Sequence, residues 1–322
     1  MISFFAFVSF FPQLVAGPIE RATHLLPQFY KKRKFSYEYA KSGIQLIVWG
    51  LYKKMVIADN AAIIVDGIFN NYETQSSGSL ILGAVFFAFQ IYGDFSGYSD
   101  IAIGTSRLFG FDLMANFKFP YLSKNIGEFW KRWHISLSSW FRDYVYFTLG
   151  GSKVKLLIAV RNVFIVFLIS GFWHGANWTF IVWGIIHALL YIPLFVSNKT
   201  KKMKANKSNR FVDFVKITTT FTIVTIAWVF FRADNIVDAY IYLKRIFIFE
   251  EGASFYLSTS KYKLITVISI LSILFLLFVE FQNQRKHKFE VHLNKYKLLV
   301  LCLIIAFFGA LKNHSNFIYF QF

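Results

Sequence analysis

Two long apolar runs, separated by a short polar break, decide the fold class of this protein. The first run is LLIAVRNVFIVFLISGFW, residues 156–173, and the second is WTFIVWGIIHALLYIPLFVS, residues 178–197, with His174-Gly175-Ala176-Asn177 between them. Each run approaches the length of about 20 residues that a helix needs to cross a bilayer. The break is either a hairpin tip or irregular backbone at membrane depth, which is tolerated only inside protein or along a cavity. The pattern predicts an all-α integral membrane protein.

The composition of the 322-residue chain excludes the other broad classes of protein. Hydrophobic residues make up 56%, aromatic residues 20% and charged residues only 16%. A soluble domain has about 45–50% apolar and about 25% charged residues. A soluble domain, a disordered chain and a disulfide scaffold are therefore excluded. The single cysteine, Cys302, lies in an apolar run and is expected to be a structural thiol in a helix.

The net charge of +18 is concentrated in short clusters beside the apolar runs, at residues 31–34, 199–207 and 285–288. Lysine and arginine next to membrane spans are typical of cytoplasmic loops, so this charge indicates topology and no nucleic-acid partner. The second and third clusters are separated by two predicted spans and are both expected in the cytoplasm. The connection 232–262 and the C-terminus are then expected outside.

A single membrane domain is predicted for residues 1–322. Five further spans are expected, at 43–58, 80–93, 211–231, 264–281 and 298–311. Lys53 and Lys54 interrupt the first of these, and helical sequence continues after the second to residue 111. The chain opens with apolar residues but reaches Pro12 before a span is complete. We therefore expect that membrane segments of the natural protein precede this sequence.

Two stretches depart from the apolar pattern. Asp94 and Asp100 lie among small residues, which let helices approach closely, and buried carboxylates need partners. Residues 122–148 have apolar side chains at a helical period. They predict one amphipathic helix at the membrane surface or along a wet cavity, with these residues on its polar face: Lys131, His134, Ser138 and Arg142.

Three of the seven histidines, His134, His174 and His187, lie among apolar and aromatic residues. Ionisable groups at membrane depth are costly, so each is a functional candidate. His174 lies in the polar break, where Gly175 leaves room for a substrate. A neutral imidazole there would accept a proton from a hydroxyl nucleophile. A histidine hydrogen-bonded to a neighbouring helix is the alternative, and local features favour neither.

The other two histidines have simpler interpretations. On the predicted helix, Lys131 would lower the pKa of His134, although local features favour a polar-face residue at the membrane interface. His187 follows Trp183 by four residues and is expected to pack against it.

The sequence has no His-Glu-x-x-His motif and no cysteine pair, so no metal is expected. It also has neither a Gly-x-Ser-x-Gly elbow nor a Walker A pattern.

Five motifs occur in order along the chain: FFPQLVAGPI at 10–19, YGDFSGYSDIAIG at 92–104, FWKRWHISL at 129–137 with WFRDY at 140–144, FWHG at 172–175, and NFIYFQF at 316–322. Together they resemble the membrane-bound O-acyltransferase family, MBOAT, and most closely its alginate O-acetylation branch. Members of that family normally have several more membrane segments before the region of Pro12.

The resemblance implies a multi-spanning bundle, with amphipathic or re-entrant helices around a central cavity, in the inner (cytoplasmic) membrane of a bacterium. It implies transfer of an acetyl or other acyl group from a cytoplasmic thioester, acetyl-coenzyme A, with no cofactor held permanently. The acceptor would be a hydroxyl of a polysaccharide or cell-wall glycan outside the cytoplasm, reached through a partner acyltransferase. The implied site residues are His174 as general base, His134 as a second catalytic or donor-site residue, and Lys131, Arg132 and Arg142 on the donor side. Asp94 and Asp143 are implied as structural or site partners.

Two other function classes remain open. A transporter or exporter of a glycan or lipid would use a polar path lined by buried acids and histidines, Asp94, Asp100, His134 and His174. The sequence has no internal repeat of the kind on which many transporters are built. A non-catalytic scaffold of a cell-envelope polysaccharide complex is the third class. The acceptor also stays open among alginate, another exopolysaccharide, peptidoglycan and teichoic acid.

Overall fold

The computed structural model describes residues 2–200, 209–286, 291, 293–310 and 317. This part of the chain is all-α, and its sole β-type pairing is an isolated bridge between Gln75 and Ala253. The helices are α1 (Ile2–Val8), α2 (Ala22–Tyr30), α3 (Tyr37–Leu51), α4 (Asp59–Phe69), α5 (Ser77–Leu108), α6 (Ile126–Trp130), α7 (Ile135–Phe141), α8 (Leu156–His174), α9 (Trp178–Thr200), α10 (Arg210–Arg232), α11 (Ile236–Phe247), α12 (Ser260–Arg285) and α13 (Lys295–Phe308).

Within the described residues, five helices are long and apolar enough to cross a membrane: α5, α8, α9, α10 and α12. They coincide with five of the predicted spans. The predicted span at 298–311 corresponds to α13, which has only 14 residues. The predicted span at 43–58 falls on α3, which continues through a π-helical turn, Tyr52–Ala58, into α4.

The outer surface of the long helices is apolar. On α12, Leu264, Leu271 and Phe278 recur every seven residues and are 60%, 61% and 57% exposed. Such a stripe would be unfavourable in water but is suited to hydrocarbon. The prediction of an all-α integral membrane protein is confirmed.

The predicted continuous amphipathic helix over residues 122–148 is wrong. Helix α6 ends at Trp130 and α7 begins at Ile135, because His134 between them has left-handed backbone with φ 43°. This conformation costs a non-glycine residue roughly 1–2 kcal/mol, and the burial of the neighbouring Trp133 side chain offsets that cost. Lys131 and His134 therefore do not share one continuous helix face.

Contacts divide the chain into two compact units. Unit 1 comprises Met1–Gly67, Phe86–Lys118 and Phe255–Gln321, and unit 2 comprises Ile68–Val85, Phe119–Ser254 and Phe322. The assignment of residues 1–322 to one membrane domain remains a prediction.

In unit 1, α3 and α5 approach closely through pairs of glycines. A Cβ atom added to Gly104 would lie 2.5 Å from the carbonyl oxygen of Gly43, and one added to Gly97 would lie 2.8 Å from that of Gly50. Only a residue without a side chain allows two helix backbones to meet at this distance. The small residues noted in the sequence therefore serve helix packing.

The π-helical turn that follows α3 is joined to α5 and to the first residue of α4 by ion pairs. Lys53 Nζ lies 2.7 Å from Asp100 Oδ2, and Lys54 Nζ lies 2.6 Å from Asp94 Oδ1 and 2.8 Å from Asp59 Oδ1. The expectation that Asp94 and Asp100 need partners is confirmed. The lysines that interrupt the predicted span at 43–58 supply those partners.

We expect Gly104→Ala to lower the unfolding temperature in detergent, because the new methyl group meets the backbone of Gly43. Overpacking of this kind costs about 1–3 kcal/mol. Gly78→Ala is the matched control, since a Cβ there has no neighbour within 4 Å. Because alanine favours helix by about 0.5–1 kcal/mol over glycine, the control should be neutral or stabilising. Equal unfolding temperatures for the two variants would contradict the packing argument.

In unit 2, α8 and α9 form an antiparallel hairpin that is also closed by glycines. A Cβ on Gly171 would lie 2.4 Å from the carbonyl oxygen of Phe180, and one on Gly184 would lie 2.5 Å from that of Phe167. This close approach brings the end of α8, and with it His174, against the side chains of α9.

Candidate active site

His174 is the last residue of α8, immediately before the polar turn of the hairpin. Its ring centroid lies 5.1 Å from that of Trp173, 5.2 Å from that of Trp183 and 5.1 Å from that of Phe231. The side chain is half-buried. Of the two interpretations of the polar break, the structure has the hairpin tip, with a histidine enclosed by aromatic rings.

Asn177 holds the turn beside His174. Its side-chain oxygen accepts a hydrogen bond from Thr179 N at 3.1 Å, and its Nδ2 donates to the carbonyl oxygen of Asp234 at 2.7 Å. The first bond begins α9 in the manner of a helix cap. The second ties the tip to the segment after α10, so that Phe231 is held against the imidazole.

His134 is a second buried histidine in the same unit. It is only 4% exposed, and its ring lies 6.3 Å from that of Trp173, which also contacts His174. Burial, together with the nearby His174 imidazole, holds the pKa of His134 well below its usual 6.5. The lowered pKa was expected, but it arises mainly from desolvation and not from Lys131.

The lowered pKa of His134 predicts a loss of stability in acid. As pH falls below about 6.5, the unfolded imidazole binds a proton before the folded one does, so protonation favours unfolding. We expect the unfolding temperature to be level above pH 7 and to fall below pH 6.5. His134→Gln should reduce this slope, as measured by thermal unfolding in detergent across pH. The two proteins should show no such difference in pH dependence above pH 7.5, and equal slopes below pH 6.5 would contradict the prediction.

His187 lies in the middle of α9 and is fully buried. Its ring centroid is 4.8 Å from that of Trp183 and 5.0 Å from that of Trp130. The expected packing against Trp183 is therefore present. Trp183 consequently contacts two histidines, His174 and His187.

The three basic residues expected on the donor side lie in different surroundings. Lys131 is exposed. Arg132 forms an ion pair with Glu128 and donates to the carbonyl oxygen of Phe119 at 3.3 Å. Arg142 is exposed and pairs with Asp143 at 2.8 Å. Their role toward a donor stays a prediction.

The sequence did not identify Phe231 or Trp183 as neighbours of His174. Phe231 lies far along the chain at the end of α10, and Trp183 was noted only as a neighbour of His187. Among the residues that the structure describes, no three histidine, cysteine or acidic side chains form a group that could hold a metal. A histidine base in an aromatic enclosure can accept a proton from a hydroxyl group.

Residues 1–233 match the sequence model of the membrane-bound O-acyltransferase family, MBOAT. The chain belongs to this family. The match includes both His134 and His174 and confirms the resemblance seen in the motifs. Family membership and the five apolar helices make this MBOAT chain a multi-pass membrane protein.

The chain is also similar to named bacterial relatives. It is 38% identical over 313 residues to the peptidoglycan O-acetyltransferase of Helicobacter pylori, covering 96% of this chain and 56% of the relative. It is 43% identical over 236 residues to the probable alginate O-acetylase AlgI of Pseudomonas fluorescens (73% of this chain and 46% of the relative). It is 33% identical over 240 residues to the teichoic acid D-alanyltransferase of Bacillus subtilis (70% and 60%). The chain spans about half the length of these relatives.

Proposed function

We propose that this MBOAT chain transfers an acyl group, most simply acetyl, from a thioester donor to a hydroxyl group of a polysaccharide or cell-wall glycan. The observation that carries the proposal is His174, which stands at the tip of the α8–α9 hairpin within a ring of aromatic side chains. The names of the relatives, which refer to peptidoglycan, alginate and teichoic acid, support a glycan as the acceptor.

In the proposed reaction, neutral His174 accepts the proton of the acceptor hydroxyl as its oxygen attacks the thioester carbonyl. The buried rings of Trp183 and Phe231 exclude water from one side of the imidazole, which limits hydrolysis of the donor and strengthens electrostatic interactions with the reacting atoms. His134 lies beside Trp173, and its neutral imidazole orients the donor.

Acetyl-coenzyme A is the proposed donor, and it reaches the site from the cytoplasm. The clusters of basic residues that the sequence has at 199–207 and 285–288 support this orientation in a cytoplasmic membrane. Lys131, Arg132 and Arg142 are the proposed contacts to the donor's phosphates. A partner protein outside the membrane receives the acyl group or presents the glycan.

The proposal is tested with membranes that contain the protein. These are supplied with acetyl-labelled coenzyme A and a cell-wall glycan. We expect labelled glycan and free coenzyme A in equal amounts. Movement of glycan across the membrane without consumption of the donor would support a transporter instead. Unchanged acetylation by a double variant, His134→Ala with His174→Ala, would support a scaffold.

A further inference from the structure

A cluster of buried polar atoms lies next to His174 and is not used by the proposed base mechanism. The indole Nε1 of Trp183 and both ring nitrogens of His187 are buried, and within the part of the chain that the structure describes they have no hydrogen-bond partner. Trp183 is 1% exposed and His187 is 0% exposed. A polar atom removed from water without a partner costs free energy.

A phenylalanine at either position would keep an aromatic ring there without a polar atom to desolvate. His187 is surrounded by rings, including Trp130 at 5.0 Å, Phe129 at 6.3 Å and Phe167 at 6.4 Å between centroids. These neighbours are suited to an apolar ring. Polar atoms in such a place need a functional explanation.

The position of Trp183 indicates what that function is. Its ring lies 5.2 Å from the ring of His174, at an interplanar angle of 86°, and 4.8 Å from that of His187. An indole N–H is a donor only, and a neutral imidazole has one N–H donor. One of these donors is in contact with His174 and the other with Trp183, and preorganised donors in surroundings of low dielectric constant can stabilise an oxyanion.

We propose that Trp183 Nε1–H and the N–H of His187 donate hydrogen bonds to the carbonyl oxygen of the acyl thioester and hold it next to His174. This assignment rests on the proposed acyltransferase function. His187 is thereby a third histidine of the site.

The two donors act on one step of the transfer. The acceptor oxygen forms a bond to the carbonyl carbon, its proton passes to His174, and the carbonyl electron pair moves to the oxygen between Trp183 and His187. Collapse of this intermediate restores the carbonyl and breaks the carbon–sulfur bond. The departing thiolate takes the proton from His174.

Two substitutions by phenylalanine test the proposal in membranes that contain the whole chain. Trp183→Phe and His187→Phe each remove N–H donors, and we expect each to lower kcat for acetyl transfer by about 10²–10³-fold, with little change in KM for the donor. The unfolding temperature of His187→Phe should stay level or rise, because its unpartnered polar atoms are gone. That of Trp183→Phe should fall, because the smaller ring leaves a cavity. His187→Asn, which keeps a side-chain N–H, should be more active than His187→Phe.

Trp49→Phe is the matched control. Trp49 is a buried tryptophan of unit 1 that stacks on Tyr52 at 5.3 Å, and this variant should keep kcat within about twofold of wild type. The proposal would be overturned if Trp183→Phe and His187→Phe both had the kcat of the wild-type protein. It would also be overturned if both variants lost stability while their folded fraction kept full kcat. That result would indicate that the two polar side chains serve packing or bind an internal water. Absence of acetyl transfer by the wild-type protein would instead refute the proposed function itself.

Discussion

His174→Ala is expected to lower acyl transfer by about 10²–10⁴-fold, the range in which a lost general base acts. The physical reason is that an acceptor hydroxyl is a weak nucleophile until a base removes its proton. The side chain is half-buried at the end of α8 and its removal leaves the hairpin contacts at Gly171 and Gly184 intact. Membrane insertion and the amount of protein should therefore be unchanged. The measurement is acetyl transfer from labelled acetyl-coenzyme A, normalised to the folded protein.

Two further variants separate proton transfer from other roles of His174. His174→Gln keeps a hydrogen-bonding side chain but cannot act as a base at neutral pH, so it should be as inactive as His174→Ala. His24→Ala is the control, because His24 lies in α2 and pairs with Glu20 at 2.7 Å. It should retain activity within about twofold. Substantial acetylation by His174→Gln would refute the assignment of His174 as the base.

Lys54→Met is expected to have the largest effect on stability. Lys54 is the cation between two buried carboxylates, at 2.6 Å from Asp94 and 2.8 Å from Asp59. Removing one partner of a buried ion pair costs about 3–5 kcal/mol, because the remaining charge stays desolvated. Methionine keeps most of the volume, so the loss reports the charge. We expect the unfolding temperature in detergent to fall by on the order of 10 °C.

An exposed lysine of the same unit provides the comparison. Lys41 Nζ lies 3.3 Å from Glu38 Oε2, and both side chains are largely exposed to solvent. Lys41→Met should therefore cost less than about 1 kcal/mol. Adding Asp94→Asn to Lys54→Met should recover part of the lost stability, since it removes one of the two carboxylates. Similar losses in Lys54→Met and Lys41→Met would show that the buried pairs contribute little.

Most of the fold was predictable because hydropathy is a local property. The runs at 156–173 and 178–197 became α8 and α9, and the break between them became the hairpin tip. The helical period of apolar residues gave a wrong prediction at residues 122–148. It predicted one continuous helix where the structure has two short helices, α6 and α7. The left-handed turn at His134 is stabilised by packing against residues distant in sequence, such as Trp133 against Trp228 at 5.0 Å. The spacing of apolar residues along the chain does not depend on such distant contacts.

In the candidate site, too, the sequence identified single residues but not the contacts between them. His174 was identifiable because an ionisable side chain flanked by tryptophans is unusual in an apolar sequence. Its enclosure by Trp183 and Phe231 was not identifiable, since these residues come from two other helices. Likewise, Asp94 was expected to need a partner, but the sequence did not show that Lys54 provides it.

The sequence by itself determined that this chain is a helical membrane protein of the MBOAT family, because apolar length and short motifs are properties of consecutive residues. The tertiary structure alone decided which polar groups are paired and which surround His174. These contacts depend on the close approach of helices. The glycines at 97 and 104 allow α5 to pack closely against α3, and the glycines at 171 and 184 allow α8 and α9 to pack closely against each other. Close packing thus converts isolated polar residues into ion pairs in unit 1 and into a candidate catalytic site in unit 2.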